Sequence, residues 1–288
     1  MNTIIFTNAR DEYLINEWIA HYFLLGFCTV CVYDHLSVTP IRQTASIFLE
    51  SAAYGHRLIV KRIDNPVIGK AHLIKNSFHY AKENNYDWAM YVDADEFLYL
   101  RDFDNISQYI ESFLLKKPDT LQIGFPWVMF GSNGLDTDPS HNILESFTKS
   151  QQYNHDHIKT ICRVQLIDTE NATVPVPHFL KYNTFPEHSY LSDFNNFKPE
   201  KSWIFEKTYP ALSLDAYIAH YQYQSYDTYI RRKVARGRDD LPRCNYPSLT
   251  KTEFHSRCND ITNIFPRDKY AKNIQELLAQ LESQTSIP

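Results

Sequence analysis

Asp87-Trp88-Ala89-Met90-Tyr91-Val92-Asp93-Ala94-Asp95-Glu96-Phe97-Leu98 changes chemical character at its middle. Trp88 to Val92 is an apolar run with aromatic and β-branched members, the composition of a buried strand. It ends at three carboxylates within four positions, Asp93, Asp95 and Glu96, before Phe97 and Leu98 turn apolar again. Carboxylates enter a core only when paired or bound to a cation. Residues two apart on an extended chain share a face, so Asp93 and Asp95 would jointly face one hard divalent ion that also grips a diphosphate. An acidic loop after a strand is the plainer alternative.

Upstream, Asn2 to Phe6 predicts a short strand and Thr7 to Glu12 a polar loop. Leu14, Ile15, Trp18, Ile19, Tyr22 and Phe23 recur at helical spacing within Glu12 to Leu25. Cys28 to Tyr33 is a second apolar run, ending at Asp34. Strand, helix, strand is the βαβ unit of a parallel sheet, whose ligands gather at the strands' carboxyl ends. Asn8, Arg10 and Asp34 fall at such ends. Ile41 to Ala53 predicts a helix, Leu58 to Val60 a third strand, and Lys70 to Glu83 the helix leading into the acidic stretch. Lys70 starts that helix, where the terminus already favours anions, and would reach a diphosphate; a solvated helix face is the alternative. Neither GxGxxG nor a P-loop occurs, so dinucleotide and NTPase readings lack support.

Downstream, Ile106 to Leu115 predicts a helix and Leu121 to Gly124 a strand. Trp127-Val128-Met129-Phe130-Gly131-Ser132-Asn133-Gly134 then sets two aromatics beside a turn-forming Gly-Ser-Asn-Gly. Gly131 and Ser132 would let backbone approach a ligand, and Trp127 and Phe130 would wall a sugar or fill the core. His155-Asp156-His157 has metal-ligand residue types, although a carboxylate site already exists at Asp93 and Asp95. Thr160 to Ile167 predicts a strand, Phe179 to Trp203 an insertion or acceptor-facing loop, and Ala216 to Ala219 a strand running into His220. Arg231, Arg232, Lys233, Arg236 and Arg238 form a cationic run on an expected helix, suited to diphosphate or to the phosphate of a lipid-linked acceptor. Asp268 to Leu281 is amphipathic, with Tyr270, Ile274, Leu277, Leu278 and Leu281 on one face, and predicts a docking helix.

The 288 residues suffice for one large or two small domains. A net charge of −5 supplies no basic field for nucleic acid as a whole. The five cysteines, at 28, 31, 162, 244 and 258, are odd in number and widely spaced, which suggests reduced core thiols in the cytoplasm. The N-terminus lacks a basic n-region, and no run of about 18 apolar residues occurs, so membrane contact would be peripheral.

Trp88 with Val92-Asp93-Ala94-Asp95-Glu96-Phe97 resembles the metal-binding motif of family 2-like glycosyltransferases, particularly the branch related to glycosyltransferase family 92. The resemblance continues in the acidic turn and Glu17-Trp18 helix with His21, in Trp127-x-x-Phe130-Gly131-Ser132-x-Gly134, and in Glu145-Ser146-Phe147. It extends to Lys159 before Ile161, to His178, and to His220-Tyr221 with Ser225, Lys233 and Arg236-Gly237. It covers roughly residues 3 to 238 in consistent order. It implies an α/β, Rossmann-like GT-A fold with a mixed, mostly parallel sheet flanked by helices and a C-terminal helical extension. The expected division is a GT-A domain over 1–240, with a nucleotide-binding half to 100 and an acceptor half beyond, and a helical tail over 241–288.

The same resemblance implies Mn²⁺ or Mg²⁺ held by Asp93, Asp95 and His220, although a buried, hydrogen-bonded core histidine is the alternative for His220. It also implies that Asn8, Arg10, Glu12 and Asp34 hold the base and ribose of a nucleotide-sugar, with helix capping and a surface Arg10 as the alternative. Lys70, Asp93 and Lys233 would stand at its diphosphate. Trp127, Phe130, Gly131 and Ser132 would face a glycan or lipid-linked acceptor. An inverting reaction needs a carboxylate base, for which Glu145, Asp156 and Asp193 are equal candidates. The expected activity is hexosyl or pentosyl transfer, UDP-sugar being the favoured donor. A metal-dependent nucleotidyl- or phosphotransferase and a non-catalytic sugar-binding protein on the same fold are the alternatives.

Overall fold

The computed structural model describes residues 1–139, 142–166, 188–196, 207–235 and 246–285. Its first half alternates strands and helices: β1 (Thr3–Ala9), α1 (Ile15–Leu24), β2 (Thr29–His35), α2 (Ile41–Thr44), α3 (Ser46–Leu49), β3 (Leu58–Ile63), α4 (Lys70–Glu83) and β4 (Trp88–Tyr91). β5 (Glu96–Leu100), α5 (Ile106–Lys116), β6 (Gln122–Met129), α6 (Ile143–Ser146), β7 (Lys149–Ser150), β8 (Ile158–Arg163) and β9 (Ser189–Leu191) follow. The chain then forms β10 (Ala216–His220), α7 (Tyr226–Thr228) with a wide π-helical turn over Tyr229–Val234, α8 (Lys251–His255), β11 (Ile261–Thr262) and α9 (Lys272–Thr285). Among the described residues, nine strands make one sheet in the order β3-β2-β1-β4-β8-β6-β10-β5, with β9 beside β6. Five of its pairings are parallel and three antiparallel, so the fold is the expected α/β, Rossmann-like arrangement of a mostly parallel sheet flanked by helices.

Alternation along the strands sorts the core into two layers. Ile5, Val30, Val32, Met90 and Val92 point to the side covered by α1, α5 and α9. Ile4, Phe6, Cys31, Tyr33, Ala89 and Tyr91 point to the other, where Leu73, Ile74 and Phe78 of α4 cover them. Both faces being covered explains why β1, β2 and β4 read as continuous apolar runs. In β6, Pro126 falls between the residues that pair with β9 (Gln122 to Gly124) and those that pair with β10 (Trp127 to Met129). Its missing N–H faces that gap, so a central strand tolerates it.

Three features depart from the sequence expectation. The helix expected from Ile41 to Ala53 breaks at Ala45 into two short turns. Glu96 to Leu100 is a strand, pairing antiparallel with β10 at the far edge of the sheet. The C-terminal helix begins as a π-helical turn at Arg267, before α9 packs Ile274, Leu277 and Leu281 into the layer of α1. The hydroxyl of Tyr270 accepts the N–H of Leu100 at 3.0 Å, and Lys269 donates to the carbonyls of Arg101 and Phe103 at 2.8 and 2.9 Å. The tail is thereby fastened to the end of β5. The four described cysteines are free, and no described helix is long and apolar enough to cross a membrane. His178, Arg236, Arg238 and most of the expected Phe179–Trp203 loop lie outside the described residues.

Candidate active site

Strands β1, β4, β6 and β10 end at one edge of the sheet, and the acidic turn leaves from that edge. The turn is closed twice: Glu96 N–H donates to the Asp93 carbonyl at 3.0 Å, and Asp93 N–H donates to Glu96 Oε2 at 2.8 Å. The Glu96 carbonyl in turn accepts from Trp18 Nε1 at 3.1 Å and the Tyr22 hydroxyl at 3.0 Å. The Trp18 helix therefore positions the turn. Its neighbour Glu17 accepts the N–H groups of Ile143 and Leu144 at 2.7 and 3.0 Å, satisfying the first turn of α6. Burial pushes the Glu17 carboxyl up to about 7 despite those two donors.

Each acid of the turn meets a cation. Lys70, at the start of α4, pairs with Asp93 Oδ1. Lys159, fully buried in β8, reaches Asp93 Oδ2 at 3.1 Å and Glu96 Oε2 at 3.2 Å. Lys233 lies 3.1 Å from Asp95 Oδ2, and His220 Nε2 lies 3.5 Å from Asp95 Oδ1. Burial works to raise both aspartates, but Lys159 and Lys70 hold Asp93 below the carboxylate range, and Lys233 with His220 holds Asp95 below it too. Glu96 goes the other way, because its burial outweighs Lys159. Arg232, next to Lys233, pairs with the buried Glu12.

Lys70, Asp93, Asp95, His220, Lys233, Glu12 and Arg232 line a cavity of about 440 Å³, whereas the buried Lys159 and Glu96 support the turn without lining it. Of the residues singled out in the sequence, the structure brings Asn8, Arg10, Glu12, Lys70, Asp93, Asp95, Trp127, His220 and Lys233 to its wall. Asn8 Oδ1 is fixed by the Tyr91 hydroxyl at 2.9 Å. The Trp127 ring stands edge-on to His220, with centroids 4.5 Å apart, and stacks on His157 at 5.0 Å and 19°. Asp156 lies in an adjoining shallow recess that shares His155 and Gln151 with the cavity.

Other expected site residues sit elsewhere. Asp34 is buried off the cavity, accepting from Ser37 N at 3.3 Å, Ile41 N at 3.0 Å and Arg62 Nη1 at 2.9 Å. Burial works to raise its carboxyl, and those three donors together hold it below its usual range. Its carboxylate organises the loop after β2 and is not among the groups on the cavity wall. Phe130 is buried against Tyr221 with centroids 4.6 Å apart. A Cβ on Gly131 would come within 2.5 Å of Asn259 Oδ1 and the Cys258 carbonyl. Ser132 is buried and hydrogen-bonds His255 Nδ1 at 2.7 Å, while His255 Nε2 meets Asp136 at 3.0 Å. Phe130, Gly131 and Ser132 thus pack the core and clamp the C-terminal segment, leaving Trp127 as the part of that motif on the cavity. Glu145, on α6, and Asp193, bound by Asn195 and the Tyr209 hydroxyl, also lie off the cavity wall.

Lys159 and Glu96 hold the site together without having been given a role in it from the sequence, whereas Arg232 came from the cationic run read as suited to diphosphate. A lysine inside the otherwise apolar Ile158–Cys162 run was the available signal, since a buried ammonium requires a carboxylate partner. Asp95 and His220 offer an ionised oxygen and an imidazole nitrogen within the span of one divalent cation's ligands, a mixed donor pair that would suit Mn²⁺ better than the oxygen-preferring Mg²⁺. Asp93 is instead turned to Lys70 and Lys159. Among the described residues, the three-ligand cluster that closes within 4.8 Å is His155, Asp156 and His157.

No curated protein matches the chain in sequence. Among solved structures, that of HddC from Yersinia pseudotuberculosis is similar over 66% of this chain and 90% of that one, at 10% identity and a TM-score of 0.34. At that level nothing about the site is inherited from it. The model of glycosyltransferase family 92 matches residues 69–234, a span from the start of α4 to the π-helical turn that includes Lys70, Asp93, Asp95, Lys159, His220 and Lys233. With more than half of its length so matched, this chain belongs to glycosyltransferase family 92 and is a glycosyltransferase.

Proposed function

We propose that the enzyme has the GT-A form of the fold and moves a sugar from a nucleoside diphosphate donor, UDP-sugar by preference, to a hydroxyl of a glycan or glycolipid, with inversion. The observation that carries this reading is the meeting of Asp95 and His220 at 3.5 Å on the sheet's carboxyl edge, beside Lys70 and Lys233. Asp95 and His220 would hold a divalent cation. When bound, that cation neutralises charge on the leaving diphosphate. Lys70, Lys233 and Arg232 supply further positive charge on the same wall, and the N-terminus of α4 adds its dipole. Asn8, held by Tyr91, and Arg10 offer polar groups to the base and ribose. Trp127, Tyr223 and Tyr246 supply aromatic surface for sugar rings.

The acidic turn is held by the fold itself, because Trp18 and Tyr22 bind the Glu96 carbonyl and Lys159 pairs with Asp93 and Glu96. Donor binding would then require little reorganisation of Asp93 and Asp95. The test is a panel of UDP-, GDP- and dTDP-sugars with Mn²⁺, read as nucleotide release and product anomer. Turnover of one UDP-sugar, lost on chelation, is the expected result. Turnover that survives complete chelation would contradict metal dependence, and retained configuration would contradict the displacement.

A further inference from the structure

An inverting transfer needs a base at the acceptor hydroxyl, and the cavity's carboxylates are poorly placed to serve. Glu12 is paired with Arg232, Asp93 with Lys70 and Lys159, and Asp95 with Lys233. Each is a weak proton acceptor for that reason. Three imidazoles remain on the wall: His155, His157 and His220. His220 belongs with Asp95. His155 uses Nδ1 to accept the backbone N–H of His157 at 3.1 Å. His155 Nδ1 also lies 2.9 Å from Asp156 Oδ1, but as the acceptor of that N–H it has no proton to give the carboxylate. His157 Nδ1 is closer to the same oxygen, at 2.7 Å, and its ring is stacked on Trp127 where that of His155 is tilted.

A carboxylate accepts only, so that hydrogen bond places the proton on Nδ1 and makes Nε2 the basic nitrogen. Stacking on Trp127 fixes the ring plane, and Trp127 itself touches His220 edge-on, so the imidazole stands beside the cation pair. The ring is 38% exposed and Asp156 54%, so both groups reach solvent.

We propose that His157, oriented by Asp156 and Trp127, is the catalytic base that deprotonates the acceptor hydroxyl. The proposal rests on the inverting glycosyl-transfer reading above. As the acceptor oxygen forms its bond to the anomeric carbon, its proton passes to His157 Nε2. The bond from the anomeric carbon to the diphosphate oxygen breaks, and the electron pair leaves with the nucleoside diphosphate. Asp156, a positioning residue, stabilises the resulting imidazolium.

Two measurements test this on the full chain. Nitrogen-15 histidine spectra should show neutral His157 as the Nδ1–H tautomer, with that preference lost in Asp156→Asn. An Nε2–H tautomer in the unmodified protein would overturn the proposal whatever the substrate. In kinetics, UDP-galactose and UDP-glucose serve as donors, with water and p-nitrophenyl glycosides as acceptors. His157→Gln should lower kcat by about 10²–10⁴ while UDP·Mn²⁺ affinity stays within about twofold, and Asp156→Glu should recover part of what Asp156→Asn loses. Full turnover by His157→Gln, or loss of the His157 resonances on adding Mn²⁺ to Asp95→Ala, would overturn it; the latter would mark His155, Asp156 and His157 as a metal site. Failure of the unmodified protein to bind UDP·Mn²⁺ would instead bring down the underlying reading, and the tautomer would still decide the dyad.

Discussion

His220 Nε2 lies 3.5 Å from Asp95 Oδ1, although the histidine ends β10 and the aspartate sits in the turn between β4 and β5, more than a hundred residues earlier. β10 delivers the histidine to the sheet's carboxyl edge, and the backbone confirms the docking, since Tyr221 N–H donates to the Asp95 carbonyl at 2.8 Å. His220 Nδ1 makes no hydrogen bond among the described residues, and Glu96 Oε1 lies 3.9 Å from it. A metal would use Nε2 on the open side, so His220→Ala should raise the Mn²⁺ concentration needed for half-maximal activity by about tenfold or more. A Mn²⁺ titration of activity checks it.

Lys233 separates the role of the diphosphate from that of the base. It faces the cavity and bridges to Asp95. Lys233→Met should weaken UDP by about tenfold or more, a loss of one charge-assisted contact, while uridine affinity stays unchanged. Competition against a fluorescent UDP analogue would compare the two ligands directly.

Lys159 is a structural cation. Its ammonium is buried between Asp93 and Glu96, so Lys159→Met leaves two carboxylates without it. Breaking a buried pair in this way costs about 3–5 kcal/mol. Urea unfolding at neutral pH should show a loss of that order, with the slope of the transition unchanged.

Glu17 makes a pH-dependent contribution of the opposite sign to a usual ion pair. Its carboxyl rises from 4.5 to about 7 on folding, so the folded state holds the proton more tightly. Stability from this group is full below 4.5, falls as pH rises, and is lost above about 7. Glu17→Gln should therefore gain on the unmodified protein by roughly 3 kcal/mol between those limits. Thermal or urea melts across pH 4.5 to 7.5 would show the two stability curves crossing or converging on that slope.

Much of the fold could be read in advance because both sheet faces are covered. The apolar runs at Ile4–Phe6, Val30–Val32 and Trp88–Val92 are unambiguous strands, and Leu14 to Phe23 is an unambiguous helix. The rule that ligands collect at strand carboxyl ends led to Asn8 and Arg10, the Asp-x-Asp spacing to Asp93 and Asp95, and the family resemblance to His220, and all five line the cavity. β5 was missed because Glu96-Phe97-Leu98 is a strand only through its pairing with β10, over a hundred residues later. Asp34 follows the same carboxyl-end rule, yet Arg62 from β3 and the turning loop claim its oxygens. Phe130, Gly131 and Ser132 look like a ligand turn locally, and only the arrival of His255 and Asn259 gives them their neighbours. Contacts made by remote segments leave no trace in local spacing.

In the proposed function, Asp95 and His220 would hold a cation that carries the donor diphosphate. Calorimetric titration of UDP in Mn²⁺ tests it most directly, on the unmodified protein and on Asp95→Ala, with circular dichroism to show that the variant is folded. The account predicts micromolar-to-millimolar UDP binding that requires Mn²⁺ and weakens at least about a hundredfold in Asp95→Ala, about 2.7 kcal/mol. UDP binding of equal strength in the two proteins, or binding indifferent to Mn²⁺, would contradict it.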